Sequence, residues 1–190
     1  MHAHLCICSE TPKLDLATRL VVVMHDHEMR KPTASAILAL NSLSNSELRI
    51  YGKQDQPLNL DQLDDPHRRL LVLFPDPSAA TLSPALLAED KRPISLLVPD
   101  GTWRQVLNMR RHVLCLPFAQ TVQLPTGPCG EWTIRKTTCA HRLSTFEAIA
   151  RAFGIIEFSQ IQNQLEDIFR LMVSRIRFTK GLKYLNNHCL

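Results

Sequence analysis

Short apolar runs alternate with helix-length amphipathic stretches along this chain, and polar loops separate the two. Positions 19–25 (RLVVVMH), 70–74 (LLVLF) and 94–98 (ISLLV) are nearly continuous apolar runs, with shorter ones at 48–51 and 121–124. Runs of this length without polar alternation predict strands buried on both faces, as in parallel sheets. Between them, apolar positions recur at helical spacing. Thr33 or Ser35 opens a helix through Leu43 that buries Ile37, Leu38 and Leu40. A second helix is expected over 78–88, shortened by Pro84. Thr102 is a natural N-cap for a third, over 102–112. Ser144 and Glu147 have the spacing of a capping box. The last helix, 160–178, lines up Ile161, Leu165, Ile168, Phe169, Met172 and Ile176. A further short strand is expected at 132–135, and 52–69 reads as a polar surface excursion. The alternation predicts an α/β fold: a mainly parallel sheet with helices on both faces.

The polar loops at strand ends are where chemistry is expected, since ligands of open α/β sheets bind beyond the carboxyl ends of the strands. One loop follows 19–25 and carries His25, Glu28, Arg30 and Thr33; alone it reads equally as a solvated turn. Another is Val98-Pro99-Asp100-Gly101-Thr102-Trp103, where a strand meets a helix. Its carboxylate is a candidate for catalysis, or it caps the turn while Trp103 joins the core.

Composition adds a compartment and a partner class. The 190 residues are 45% hydrophobic and 21% charged, ordinary for a soluble globular protein. No apolar run approaches the roughly 20 residues of a membrane helix, and no signal-peptide core is present, so a cytoplasmic location with reduced cysteines is expected. The net charge of +4 is unevenly placed: ten Lys/Arg face thirteen Asp/Glu through Trp103, and twelve face five beyond it. A basic half suits a phosphate-rich partner or a solvated helix face. Cys6-Ile7-Cys8, with His2 and His4 nearby, is half of the four-ligand set that zinc normally takes.

Together these loops resemble the DTW-domain family, the tRNA-uridine aminocarboxypropyltransferases. Asp100-Gly101-Thr102-Trp103 matches its signature. Cys6-x-Cys8, the loop from His25 to Thr33, Leu73-Phe74-Pro75, and Trp132-Thr133-Ile134-Arg135 with Leu143-Ser144-Thr145-x-Glu147 agree in order. Two departures stand out. The family's second, upstream cysteine pair is not in these 190 residues, so zinc at Cys6 and Cys8 would need Cys129, Cys139 or a histidine. Where the family has Asn after Pro-Ser/Thr, this chain has Ala34.

The resemblance implies an S-adenosylmethionine donor and a tRNA partner, with a SPOUT-like fold and a C-terminal trefoil knot. Residues 19–190 would form the catalytic domain and 1–18 a remnant of the cysteine-containing region, in a monomer or homodimer. The 3-amino-3-carboxypropyl group would pass to N3 of a uridine, releasing methylthioadenosine. Asp100 would be the base or the grip on the donor's amino group. Leu73, Phe74, Pro75, Gly101, Thr102, Trp103, Leu124, Arg135, Ser144 and Thr145 would hold the donor. His25, Glu28, Arg30, Thr33, Arg104, Arg110, Arg111, Lys136 and Arg142 would hold tRNA. Two rival readings stand beside this one: a SPOUT-like RNA methyltransferase and a non-catalytic RNA-binding module.

Overall fold

The computed structural model describes residues 5–31, 33–114, 116, 118–132 and 143–179. Six strands make one sheet: β1 (Arg19–His25), β2 (Ser46–Tyr51), β3 (Arg69–Leu73), β4 (Ala80–Thr81), β5 (Ile94–Asp100) and β6 (Ala119–Gln123). Their order is β2-β1-β5-β3-β6-β4, and every pairing is parallel. The helices are α1 (Asp26–Met29), α2 (Ala36–Ser42), α3 (Pro84–Ala88), α4 (Trp103–Val113), α5 (Thr145–Ile156) and α6 (Ser159–Thr179). The parallel sheet with helices on both faces is the expected architecture.

The apolar runs become central strands because both of their faces are covered. Leu20, Val22, Met24, Leu71, Leu73, Leu96 and Val98 pack with α2, α5 and α6. Val21, Val23, Leu70, Val72, Phe74 and Leu97 pack with Val106, Met109 and Val113 of α4. Burying a large apolar side chain contributes about 1.5–3 kcal/mol, so β1 and β5, buried at every position between Leu20 and Met24 and between Ile94 and Asp100, anchor the molecule.

Several expectations need correcting. The stretch 78–88 is not one helix. Ala80–Thr81 adds a short edge strand, and Pro84 then opens α3 behind the Ser83 cap instead of shortening a longer helix. The loop after β1 contains the one-turn helix α1, and Glu28 within it is only 2% exposed, although the charge of the loop suggests a solvated segment. β5 runs two residues past Val98, making Asp100 a strand residue. The strand expected at 132–135 falls mostly outside the described residues, and Trp132 itself is in no strand.

Residues ahead of β1 pack onto the same core. Ile7 is buried, Leu14 bridges Leu43, and Thr18 donates through its backbone N–H and its hydroxyl to Glu157, at 2.9 and 2.6 Å. Arg175 of α6 donates to the Cys6 carbonyl and to Glu10.

Candidate active site

The carboxyl ends of β1, β5, β3 and β6 lie along one edge of the sheet, as the parallel register dictates: Met24 stands opposite Asp100, and Leu73 opposite Val122. Side chains alternate between faces along a strand. Asp100 therefore shares the face of Leu96 and Val98, where α5 packs, whereas His25 and Phe74 share the α4 face. The edge thus carries two groups of functional side chains.

On the α5 face, Asp100 is 7% exposed, and the Thr145 hydroxyl donates to its Oδ1 at 2.5 Å. Thr145 is the first residue of α5, whose start is set by a complete capping box. Ser144 Oγ accepts from the Glu147 N–H, and Glu147 Oε2 accepts from the Ser144 N–H at 2.7 Å. Glu147, 5% exposed, also accepts from the Glu131 backbone N–H, so the capping side chain ties the loop after β6 to α5. The Phe146 N–H reaches the buried Ser35 Oγ at 3.5 Å, placing the start of α2 beside the start of α5. The N–H groups of Ser144, Phe146 and Glu147 are already bonded, so this helix start presents the Thr145 N–H to an anion, beside a buried carboxylate that can accept from a cation. That suits a zwitterionic group.

On the α4 face, the Trp103 indole, 48% exposed, stacks on the buried Phe74 ring, with centroids 5.8 Å apart and planes 13° from parallel. Trp103 therefore does not join the core; it lies half-exposed over Phe74 on the α4 face, and Asp100 lies on the α5 face. Gly101 allows the turn: a Cβ there would lie 3.1 Å from Gln105 Cβ and 3.2 Å from Met109 Cε. Thr102 and Gln105 form a second capping box, which takes up the Thr102 hydroxyl in starting the helix.

Beside these lies a ladder of rings. His25 meets His27 at 5.0 Å and Tyr51 at 5.9 Å, and Tyr51 meets His112 of α4 at 5.3 Å. His25 also caps α1, its Nδ1 accepting from the His27 N–H. Burial first, then the neighbouring His27 and Lys31, lowers its pKa below 6.5, outweighing Asp26 and Glu28. The folded protein thus holds this ring neutral while the unfolded chain takes a proton below about pH 6.5. Stability is expected to fall as the pH drops from there toward the lowered folded value. Thermal unfolding between pH 7.5 and 5 checks this; His25→Asn keeps a capping acceptor and should flatten that part of the curve. An unchanged slope would remove His25 as its source.

The remaining expected residues sort by their partners. Glu28 is buried and ion-paired with Lys31, a contact that organises the loop. Arg30 pairs with Asp26 at 2.9 Å. Thr33 is half-buried beside the α2 start. Among the described residues Arg104 and Arg111 are exposed and form no ion pair, whereas Arg110 pairs with Asp76. Leu73 is buried, Pro75 exposed, and Leu124 half-buried. Arg135, Lys136 and Arg142 lie outside the described residues. Sequence reasoning missed Asp76 and the acceptor role of Ser35. Nothing local marks either one.

A cavity of about 450 Å³ lies beyond this edge, lined by Leu124 to Cys129, by Glu147, Arg151 and Ile155 of α5, and by α6 residues including Phe169 and Arg170. Neither Asp100 nor Trp103 lines it. Cys6 and Cys8 touch Sγ to Sγ at 2.9 Å, and among the described residues no group of three His, Cys, Asp or Glu is placed to hold a metal. The pair supplies two of the four ligands that zinc takes, and the described residues bring no third ligand to it.

A family model described as "DTW domain" matches residues 1–177. The chain is 26% identical over 157 residues to tRNA-uridine aminocarboxypropyltransferase 2 of Macaca fascicularis, and 26% identical over 160 residues to the protein of that name from Mus musculus. Each alignment covers 80% of this chain and 53% of the relative, so the chain spans about half the length of those proteins. Among solved structures it resembles the SAM-dependent rRNA:acp-transferase Tsr3 from Vulcanisaeta distributa. The TM-score is 0.52 and the identity 18%, over 86% of this chain and 79% of the other. At that identity the likeness speaks for the fold.

Proposed function

The chain belongs to the DTW-domain family, and from that membership we propose that it transfers the 3-amino-3-carboxypropyl group of S-adenosylmethionine to N3 of a tRNA uridine, with methylthioadenosine as by-product. The observation that carries the reading is the buried Asp100 carboxylate, held by Thr145 at the carboxyl edge of a parallel sheet. The donor supplies a sulfonium-activated γ-carbon, whose bond to sulfur breaks as the bond to N3 forms. Asp100 takes the N3 proton as that bond forms. Thr145 fixes the carboxyl, and its backbone N–H faces the donor carboxylate, the Ser144 N–H being taken by Glu147. Phe74 and Trp103, with Pro75, Gly101 and Thr102 next to them in the chain, take the adenine, and Leu73 and Leu124 border the donor from the α5 face. Orientation of the γ-carbon over the competing methyl is the larger catalytic contribution, and two sets of contacts at opposite ends of the donor supply it.

Arg104 and Arg111 meet tRNA phosphates in this reading, and Arg135, Lys136 and Arg142 are assigned the same role from the family resemblance. His25 and Thr33 border the tRNA. A SPOUT-like threading of the C-terminal region, residues 19–190 as the catalytic domain, a cytoplasmic location and a monomeric or homodimeric state belong to the same proposal. We place the reaction at the strand ends and not in the 450 Å³ cavity, because the cavity lacks the buried carboxylate and the stacked rings.

The test is nucleoside mass spectrometry of tRNA incubated with the protein and S-adenosylmethionine. The expected result is a uridine enlarged by the 3-amino-3-carboxypropyl group, together with methylthioadenosine. A methylated nucleoside with S-adenosylhomocysteine would replace this reading by methyl transfer. Binding of tRNA with no consumption of the donor would leave an RNA-binding module.

A further inference from the structure

Arginines 104, 110 and 111 sit on one exposed helix, yet only Arg110 is ion-paired among the described residues. Its Nη2 lies 2.5 Å from Asp76 Oδ2, and its Cζ lies 5.9 Å from the centroid of the Phe74 ring. Seven residues separate Trp103 from Arg110, nearly two helical turns, so both project from the same side of α4. That side meets Phe74, which therefore carries the indole and the guanidinium together.

Asp76 is built for this position. It is 6% exposed, and its Oδ1 accepts from the Ser78 N–H at 3.0 Å and from the Ser78 hydroxyl at 2.6 Å. Its Oδ2 is buried and takes no hydrogen bond, leaving Arg110 as its charge partner. The Ala79 N–H closes the turn on the Asp76 carbonyl at 2.9 Å, and Phe74 N–H is fixed on Val122 O at 2.9 Å. The Ser78 hydrogen bonds, with Arg110 beside them, hold the Asp76 carboxyl below its ordinary range. It stays charged at neutral pH. Drawing Arg110 away toward a phosphate would leave that buried charge unpaired, which is strongly unfavourable.

We propose that Asp76 and Arg110 are a positioning pair for the Phe74–Trp103 stack, holding the half-exposed indole in place for the adenine of the donor, and that Arg110 is not a tRNA contact. The adenine part of this rests on the function proposed above; the effect on the indole does not. A guanidinium over one ring of a stacked pair restrains it through the ring quadrupole, and Asp76 restrains the guanidinium in turn.

The experiment uses the double substitution Asp76→Asn with Arg110→Met, which removes both charges and strands neither. In a Trp132→Phe background Trp103 is the remaining tryptophan, and acrylamide quenching of its fluorescence without ligand is expected to rise when the pair is neutralised. In the otherwise unaltered protein, the same double substitution is expected to weaken S-adenosylmethionine binding about tenfold by calorimetry. The slope of tRNA affinity against salt should not change. Replacing Arg104 and Arg111 with Met should flatten that slope by about one per arginine. Unchanged indole quenching, or a salt slope that drops by about one on losing Arg110, overturns the inference. If the unaltered protein binds no S-adenosylmethionine, the proposed function fails, and the quenching result alone decides whether the pair positions Trp103.

Discussion

Asp100→Asn is expected to lower the rate of 3-amino-3-carboxypropyl transfer by a factor of about 10²–10⁴, the usual worth of a positioned base. Asparagine keeps the size of the side chain and an oxygen able to accept from Thr145, so the contact between β5 and α5 is expected to survive. The donor should still bind, with its affinity measured by calorimetry and its turnover by methylthioadenosine release. The division between these measurements tests the role. Retained binding with lost turnover identifies Asp100 as the base. Collapse of binding makes it the grip on the donor's amino group, and the base must then be sought elsewhere. Thr145→Val adds a control: it removes the hydroxyl that fixes the carboxyl and leaves the charge. A smaller loss than that of Asp100→Asn, with the donor still bound, is the expected result.

Gly154→Val is expected to destabilise the protein by about 2–3 kcal/mol, within the range for forcing extra carbons into a packed interface. For a chain of this length that is a fall in Tm of roughly 4–12 °C. The α5–α6 crossing leaves no room at this position. A Cβ on Gly154 would lie 2.7 Å from Gln162 Cβ, at the root of a side chain that cannot swing clear. The helix preference gained by replacing glycine, at most about 1 kcal/mol, is smaller than the clash. Gly127→Ala is the contrasting case, since its Cβ would meet the end of the Arg151 side chain at 3.4 Å and the Pro125 carbonyl oxygen at 3.9 Å, both ordinary contacts; a change within about 0.5 kcal/mol is expected there. Because α5 delivers Thr145 to Asp100, the valine variant should also lose activity at temperatures where it remains folded. Equal melting temperatures for the two variants would show that the helices can separate without cost.

Much of this molecule is legible in the chain because the signals are local. Three consecutive valines, a capping box spaced S-x-x-E, and a threonine just ahead of a helix act over a few residues, and the strands and helices they announce are present as β1, α5 and α4. Local signals also mislead. A proline limits a helix from within but favours its first turn, and at Pro84 the second effect prevails. A loop as charged as the one after β1 suggests solvation, yet a neighbouring lysine and the packing around Glu28 hold that carboxylate inside.

The candidate site is legible as a set of residues but not as an arrangement. Strands buried on both faces carry no alternation of polar and apolar residues, so nothing in LVVVM or ISLLVPD says which way the last side chain turns. Asp100 and Trp103 are three residues apart, yet Thr145 holds the first on the α5 face and Phe74 stacks on the second on the α4 face.

By itself, then, the sequence determined five of the six strands, most helix boundaries, the strand-end placement of Asp100 and the family to which the chain belongs. These depend on short-range preferences and on ordered motifs. Tertiary structure alone decided the pairings that span the chain: Thr145 with Asp100 across 45 residues, the Phe146 N–H with Ser35 across 111, and Asp76 with Arg110. The reason is physical. An isolated carboxylate, hydroxyl or guanidinium has the same local propensities whether it is solvated or paired, and only packing of the sheet and its helices removes the water and leaves one partner within reach.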